Sequence, residues 1–105
     1  MIVTPTLDRR KILALLIPNP GDYLIISGLA GSARDVAALT NDGANSFNMA
    51  GCMGAAVSMG LGMSLAAPKR QILVITGDGE LMMNLGCLAS IATIQPSNLT
   101  IVCID

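Results

Sequence analysis

The segment from Val74 to Asn84, VITGDGELMMN, places two acidic residues directly after an apolar run. Asp78 lies between Gly77 and Gly79, and Glu80 follows. Glycine lets the backbone turn tightly after a strand, and α/β sheets hold ligands beyond the carboxyl ends of their strands. A carboxylate beside a helix N-terminus would repel a phosphate unless a hard cation such as Mg²⁺ lay between them. The pattern therefore favours a metal-bridged diphosphate, with Asp78 as the metal ligand.

The same Gly-Asp-Gly turn also has a purely structural interpretation, in which Asp78 only caps the following helix. Two common phosphate-binding motifs are absent from the sequence. The position that needs the third glycine of GxGxxG holds Met82, and there is no GxxxxGK[ST] segment. The turn is therefore either a metal and phosphate site or a helix cap.

The composition excludes several classes of function. Hydrophobic residues make up 52% of the 105 residues, the formal net charge is −1 and histidine is absent. This balance gives no basic surface for nucleic acid, and the spacings typical of zinc sites are missing. We expect the three cysteines, Cys52, Cys87 and Cys103, to be reduced and partly buried. The apolar surplus predicts that some of the surface meets another chain or segment.

Two apolar segments raise the possibility of a membrane span or a signal peptide. Residues 47–67 carry no charge and are long enough to span a membrane, but their Gly and Ser content suits a closely packed helix. Near the N-terminus, basic residues precede the apolar stretch from Ile12 to Ile17. That stretch is short for a signal peptide, and no small-residue cleavage site follows it. We expect a cytoplasmic protein without a membrane partner.

Hydrophobic periodicity and turn residues predict the elements around the Gly-Asp-Gly turn. Strands that alternate with helices along the chain indicate an α/β fold with a parallel sheet. The predicted elements are a helix capped by Thr6 or Asp8 that ends at Leu16, a strand at Tyr23–Ser27, a brief helix from near Ser32, turn residues at 40–46, a helix within 47–67, buried strands at Gln71–Thr76 and from Leu99, and a helix at Glu80–Ile94 between those strands.

These motifs in this order resemble a known enzyme family. GDG at the end of a buried strand, then a helix and a second buried strand, resembles the thiamine-diphosphate motif, which closes on an Asn at the end of the next strand. The segment MAGCMGAAVSMGLGMSLAAPKRQILVITGDGELMMNLGCLASIA is similar to the diphosphate-binding half of phosphonopyruvate and sulfopyruvate decarboxylases. LDRRKILALL and ISGLAGSARDV fit the same relatives, and the sequence ends at IVCID, one residue before the expected Asn.

The resemblance implies a three-layer α/β/α parallel sheet, the thiamine-diphosphate-binding fold, present as an N-terminal fragment. Residues 1–19 would be a helical lead-in, and residues 20–105 the front part of the binding domain. The implied cofactors are thiamine diphosphate and Mg²⁺.

At the diphosphate end of the cofactor, the resemblance implies that Asp78 ligates Mg²⁺. Gly77 belongs to the same turn, and Gly79 and Glu80 would offer backbone N–H groups to the diphosphate. Gly28, with Ser32 beyond it, would approach the diphosphate from another loop.

At the aminopyrimidine end, the resemblance implies that Gly51 presents its carbonyl to the 4′-amino group. Met53 would press the cofactor into its bent shape, although its own sequence context, without the resemblance, favours a core residue. Cys52 would be a neighbour of the site rather than a nucleophile.

The implied function is the diphosphate-binding half of a thiamine-diphosphate-dependent decarboxylase for a small 2-oxo acid, phosphonopyruvate-like or sulfopyruvate-like. A carboligase or 2-oxo acid oxidoreductase subunit, or a non-catalytic α/β binding or assembly subunit, are the alternatives. The only glutamate is Glu80, at the diphosphate end, and no histidine is available for proton transfer. The activating Glu is therefore expected from a pyrimidine-binding partner subunit or a further segment, in a homo- or hetero-oligomer, and this chain alone is expected to be inactive.

Overall fold

The chain folds into a four-stranded parallel β-sheet with helices on both faces, which confirms the predicted three-layer α/β/α architecture. The computed structural model describes residues 7–28, 31–41 and 43–105. The strand order across the sheet is β2-β1-β3-β4. The elements are α1 (Arg9–Leu16), a 3₁₀ turn (Pro20–Asp22), β1 (Tyr23–Ser27), α2 (Gly31–Thr40), β2 (Ser46–Asn48), α3 (Ala56–Ala66), β3 (Gln71–Gly77), α4 (Asp78–Met83), α5 (Cys87–Ile94) and β4 (Leu99–Ile104).

Helices α1 and α2 cover one face of the sheet. Asp8 caps α1, since its side chain accepts a hydrogen bond from the backbone N–H of Arg10. The alternative cap, Thr6, lies outside the described residues. Buried aliphatic side chains join the two helices to alternate residues of β1 and β3, as the two-residue period of a strand requires. This cluster consists of Leu13, Ile17, Ile25, Val36, Leu73 and Ile75.

Helices α3, α4 and α5 cover the other face. The core here includes Ile26, Val74, Val57 and Cys87. Glycine at position 60 lets α3 lie close to β3, because a Cβ there would come within 2.3 Å of Cγ2 of Val74.

The strands at Tyr23–Ser27 and Gln71–Gly77 agree with the sequence prediction, and Ile72 to Thr76 are all buried. The expectation that the strand from Leu99 is buried was wrong. In the described part of the sheet β4 is an edge strand; Thr100 and Cys103 are exposed and its other four residues are half-buried.

The helices also differ from the sequence prediction. The helix expected within residues 47–67 begins only at Ala56, after the short strand β2 and a series of turns. The helix expected at Glu80–Ile94 is two helices, with a break at 84–86. Among the described residues, none of the helices has the length and apolar character required to cross a lipid bilayer.

The connections place a topological switch between β1 and β3. The chain leaves β1 for α2 on one face and leaves β3 for α4 on the other. Beyond the carboxyl ends of two such strands the connecting segments diverge and leave a crevice, where α/β proteins bind ligands. Gly28 follows β1 directly, and α4 follows β3 directly.

Candidate functional site at the carboxyl edge of the sheet

Asp78 is the first residue of α4 and lies at the carboxyl end of β3. The cap position of α4 is occupied by Gly77, and no side chain caps the helix by a hydrogen bond. Asp78 itself is exposed. The structural interpretation of Asp78 as a helix cap therefore does not describe this turn, and the carboxylate is open to a ligand.

Glu80 points in the opposite direction to Asp78, into the protein. It is 5% exposed, and its Oε2 accepts a hydrogen bond of 3.1 Å from the hydroxyl of Thr76. The same carboxylate lies against Gly28, where a Cβ would come within 1.6 Å of Oε2. Glu80 thus ties the first turn of α4 to the ends of β3 and β1, and the side chain does not reach the open part of the site.

Residues 49–54 follow β2 and form a succession of tight turns. Backbone hydrogen bonds join the N–H of Cys52 to the carbonyl of Met49 and the N–H of Met53 to the carbonyl of Gly51, each at 3.0 Å. Gly54 has a φ of +89°, a left-handed value that favours glycine. A Cβ on Gly54 would also come within 3.0 Å of the Cβ of Met83 in α4.

The segment from Gly51 to Met53 is exposed. A Cβ at Gly51 would have no neighbour within 4 Å, so its backbone is accessible. The Met53 side chain is 51% exposed and is not a core residue. Of the three cysteines, all free, only Cys87 is buried, whereas Cys52 and Cys103 are exposed.

The structure places the sequence-predicted site residues at one edge of three adjacent strands. The Gly51 to Met53 segment follows β2, Gly28 follows β1, and Gly77 to Glu80 follow β3. Gly28 and Glu80 are in direct contact. The ends of β2 and β3 are two strand spacings apart, or about 10 Å. The residues assigned to the two ends of an extended cofactor are therefore separated along a single edge.

A cleft of about 280 Å³ opens beside Asp78. Gly77 and Asp78 form one side, and Gly31 and Ser32, at the beginning of α2, form another. Its lining is completed by Arg9, Ile104 and Asp105. The backbone at Gly79, next to Asp78, has open space where a side chain would be. An exposed carboxylate next to accessible backbone and helix-start N–H groups fits a cation-bound diphosphate.

The charge of Asp78 acts on Cys103, which lies near the end of the neighbouring strand β4. Partial desolvation by neighbouring atoms raises the pKa of the Cys103 thiol although the residue is exposed, and the negative charges of Asp78 and Asp105 raise this pKa further. Cys103 lies beside Thr76 in the β3–β4 register. The carboxylates of Asp78 and Asp105 therefore make the area around Cys103, at the ends of β3 and β4, locally negative.

Within the described ranges no three His, Cys, Asp or Glu side chains are grouped closely enough to hold a metal ion. Among the described residues, Asp78 and Asp105 are the two carboxylates that line the cleft. That suits Mg²⁺, which is commonly bound through one or two carboxylates together with phosphate oxygens and water.

Two features of the site were not predicted from the sequence. Thr76 is the last residue of the predicted strand, and nothing in the pattern indicates that its hydroxyl reaches Glu80. Arg9 precedes Asp78 by 69 positions in the sequence, and only the packing of α1 on the sheet brings it to the cleft. By contrast, the sequence did indicate that Ser32, which also lines the cleft, lies near the site, because it follows β1 closely.

The fold and the site together define a parallel α/β domain with an accessible Gly-Asp-Gly turn at its ligand-binding edge. Residues 29–105 match the description of the C-terminal TPP-binding domain of thiamine pyrophosphate enzymes. The chain belongs to this thiamine pyrophosphate enzyme family.

The relatives of the chain include two kinds of decarboxylase. It is 40% identical over 84 residues to the sulfopyruvate decarboxylase subunit beta of Methanothermobacter thermautotrophicus, covering 80% of this chain and 44% of that protein. It is 37% identical over 91 residues to the phosphonopyruvate decarboxylase of Streptomyces viridochromogenes, covering 87% of this chain and 22% of that protein. The subunit beta of Methanocaldococcus jannaschii is 36% identical over 97 residues, with 92% and 51% covered. The chain spans about half the length, or less, of these curated relatives.

Proposed function

We propose that this chain is the diphosphate-binding part of a thiamine-diphosphate-dependent decarboxylase of a small 2-oxo acid, with sulfopyruvate and phosphonopyruvate as the substrate class. The observation that carries the proposal is the exposed carboxylate of Asp78 at the start of α4, beside the open backbone of Gly79. The names of the relatives, sulfopyruvate and phosphonopyruvate decarboxylases, support the choice of substrate class.

In this proposal Asp78 holds Mg²⁺, which in turn binds the diphosphate. Backbone N–H groups of Gly79 and Glu80 donate to the phosphoryl oxygens, as do those at the beginning of α2. The buried Glu80 carboxylate does not touch the cofactor. It fixes the first turn of α4 through Thr76 and the close contact with Gly28, so that the N–H groups keep their direction.

The exposed segment after β2 receives the aminopyrimidine end of the cofactor. The carbonyl of Gly51 accepts from the 4′-amino group, Met53 supports the bent shape, and Cys52 lies alongside. When bound, thiamine diphosphate supplies the electron sink that allows a 2-oxo acid to lose CO₂.

The activating glutamate comes from a pyrimidine-binding partner. Glu80 is the only glutamate in the sequence, and it is buried against Gly28. Relatives of the chain are named as a beta subunit of sulfopyruvate decarboxylase, which supports a second subunit. Several large apolar side chains near the site are exposed, which suits contact with such a partner. They are Met53, Met82, Met83 and Leu85.

Isothermal titration calorimetry of thiamine diphosphate into the protein, in buffer with Mg²⁺, tests the cofactor assignment. The wild-type chain should bind, and Asp78→Asn should weaken binding by about tenfold or more, since it removes a charged ligand. Asp22→Asn is the matched control, because Asp22 is exposed at the opposite, amino end of β1 and should bind within about twofold of wild type. Equal binding by all three proteins would contradict the metal assignment.

Release of CO₂ from sulfopyruvate, phosphonopyruvate and pyruvate tests the reaction. We expect turnover of one of the first two substrates by the chain assembled with its pyrimidine-binding partner. Turnover by this chain alone would contradict the proposed partner, and turnover of none of the three by the assembly would contradict the proposed reaction.

A further inference from the structure

Arg9 carries its positive charge into the cleft beside Asp78. It is the first residue of α1, and it lines the cleft together with Gly31, Ser32 and Asp78. Its side chain remains 41% exposed, so solvent and ligands reach it. In the described part of the chain, no other lysine or arginine lines this cleft.

Asp35 orients this arginine. Nε of Arg9 donates to Oδ2 of Asp35, whose side chain is only 11% exposed. The ion pair uses Nε, and a guanidinium has four further N–H donors on Nη1 and Nη2. An arginine whose Nε is fixed in this way presents its two terminal groups in a defined direction.

The terminal groups of Arg9 lie over the beginning of α2. A Cβ at Gly31 would come within 2.2 Å of Nη1 and 2.6 Å of Nη2, so the absence of a side chain at Gly31 lets the guanidinium approach the backbone. The first N–H groups of a helix have no acceptor within the helix. Guanidinium and helix-start donors are thus combined in the lining of the cleft that also contains Asp78.

We propose that Arg9 is a diphosphate-binding residue of this site, which donates from Nη1 and Nη2 to phosphoryl oxygens while Asp35 holds it in place. This rests on the proposed function. One divalent cation shared with the Asp78 carboxylate leaves a diphosphate with uncompensated negative charge, and the Arg9 guanidinium in the same cleft lining offsets part of it. Arginine suits this task because its planar fork matches phosphate oxygens.

The test compares four variants by calorimetry with thiamine diphosphate and Mg²⁺, and with inorganic pyrophosphate and Mg²⁺. Arg9→Gln should weaken binding of both probes by about 10- to 100-fold, the loss of one charge-assisted hydrogen-bonded contact. Arg9→Lys keeps the positive charge but lacks the planar pair of terminal N–H groups. Its affinity for both probes should therefore lie between those of the wild type and Arg9→Gln. Arg10→Gln is the matched control, because Arg10 is on the same helix but lines a different groove, with Arg34, and should bind within about twofold of wild type.

Asp35→Asn separates ligand binding from a structural role. If Arg9 acted only through its ion pair, Arg9→Gln and Asp35→Asn would weaken binding equally. We expect a larger loss in Arg9→Gln than in Asp35→Asn, and partial restoration in Arg9→Lys, which also supplies a folded variant should Arg9→Gln not fold.

The results for the two proposals are distinguishable. Wild-type binding of thiamine diphosphate together with undiminished binding by Arg9→Gln would overturn the role of Arg9 and leave the proposed function standing. Failure of the wild type to bind thiamine diphosphate would contradict the proposed function. In that case the role of Arg9 is tested by pyrophosphate binding alone. Equal pyrophosphate binding by the wild type and Arg9→Gln, or binding by neither, would overturn the proposed role of Arg9.

Discussion

The carboxylate of Glu80 lies against the backbone of Gly28, so close that a Cβ on Gly28 would come within 1.6 Å of Oε2. The two residues belong to segments that follow different strands, β1 and β3, on either side of the topological switch. Their contact therefore joins the two loops between which the ligand crevice opens. Only glycine at position 28 permits this contact.

Gly28→Ala should destabilise the protein and weaken thiamine diphosphate binding. The added methyl group forces Glu80 out of its place beside Thr76, and we expect a loss of about 1–3 kcal/mol in the free energy of unfolding. Urea denaturation measures the loss in the free energy of unfolding, and calorimetry measures the weaker binding.

Glu80→Ala supplies the control for this substitution. In the double variant the colliding carboxylate is gone, so Gly28→Ala should then change the free energy of unfolding by much less than in the wild-type background. Equal effects in both backgrounds would show that the contact does not limit residue 28.

Two glycines of α3 should respond in opposite ways to alanine. Gly60→Ala places a methyl group against Cγ2 of Val74, and we expect a loss of about 1–3 kcal/mol in the free energy of unfolding. Gly62, two residues on, is exposed and has no neighbour within 4 Å of a Cβ. Gly62→Ala should therefore gain about 0.5–1 kcal/mol from helix propensity. Denaturation of the two variants side by side checks both signs, and the same sign for both would refute the packing of α3 on β3.

Asn98 holds together the turn between α3 and β3. Its side chain is 8% exposed, and Nδ2 donates to the carbonyls of Ser64, Ala67 and Arg70 at 3.1, 3.2 and 2.9 Å. Asn98→Ala removes the donor and should lower the free energy of unfolding by about 2–3 kcal/mol. Asn98→Asp should lower the free energy of unfolding more than Asn98→Ala at neutral pH, because an ionised carboxylate cannot donate a hydrogen bond and would face these carbonyl oxygens. Thermal and urea unfolding measure both, and a milder effect of Asp than of Ala would contradict this account.

Cys103 should report the charge on Asp78. Partial desolvation and the charges of Asp78 and Asp105 raise the pKa of the Cys103 thiol, so less thiolate is present at a given pH and alkylation is slower. Asp78→Asn removes one negative charge and should lower this pKa, moving the pH profile of iodoacetamide labelling at Cys103 to lower pH. Peptide mass spectrometry follows the rate, with the exposed Cys52 as the internal reference. An unchanged profile in Asp78→Asn would place the two groups too far apart to interact.

The two central strands were predictable because their aliphatic runs are continuous. Ile72 to Ile75 need burial on both faces, and only the middle of a parallel sheet supplies it. The short strand β2 was not predictable. Its first residue, Ser46, also ends the turn-forming run that begins at Thr40, and the three residues become a strand only because β1 pairs with them.

The helix boundaries depended on backbone detail that the hydrophobic pattern does not carry. The small-residue run from Phe47 to Ala67 predicts a helix. Ala50 and Gly54 nevertheless have positive φ values, and the helix begins after them. The position of Asp78 at a strand end followed from its neighbours in the sequence. The inward direction of Glu80 did not, because it depends on the distant Gly28.

The central claim is that Asp78 couples Mg²⁺ to the diphosphate. The most direct test measures the dissociation constant of thiamine diphosphate with Mg²⁺ and with a chelator, in the wild type and in Asp78→Asn. In the wild type Mg²⁺ should tighten binding by about tenfold or more, and in Asp78→Asn this factor should approach one. A Mg²⁺ effect of the same size in both proteins would contradict the claim.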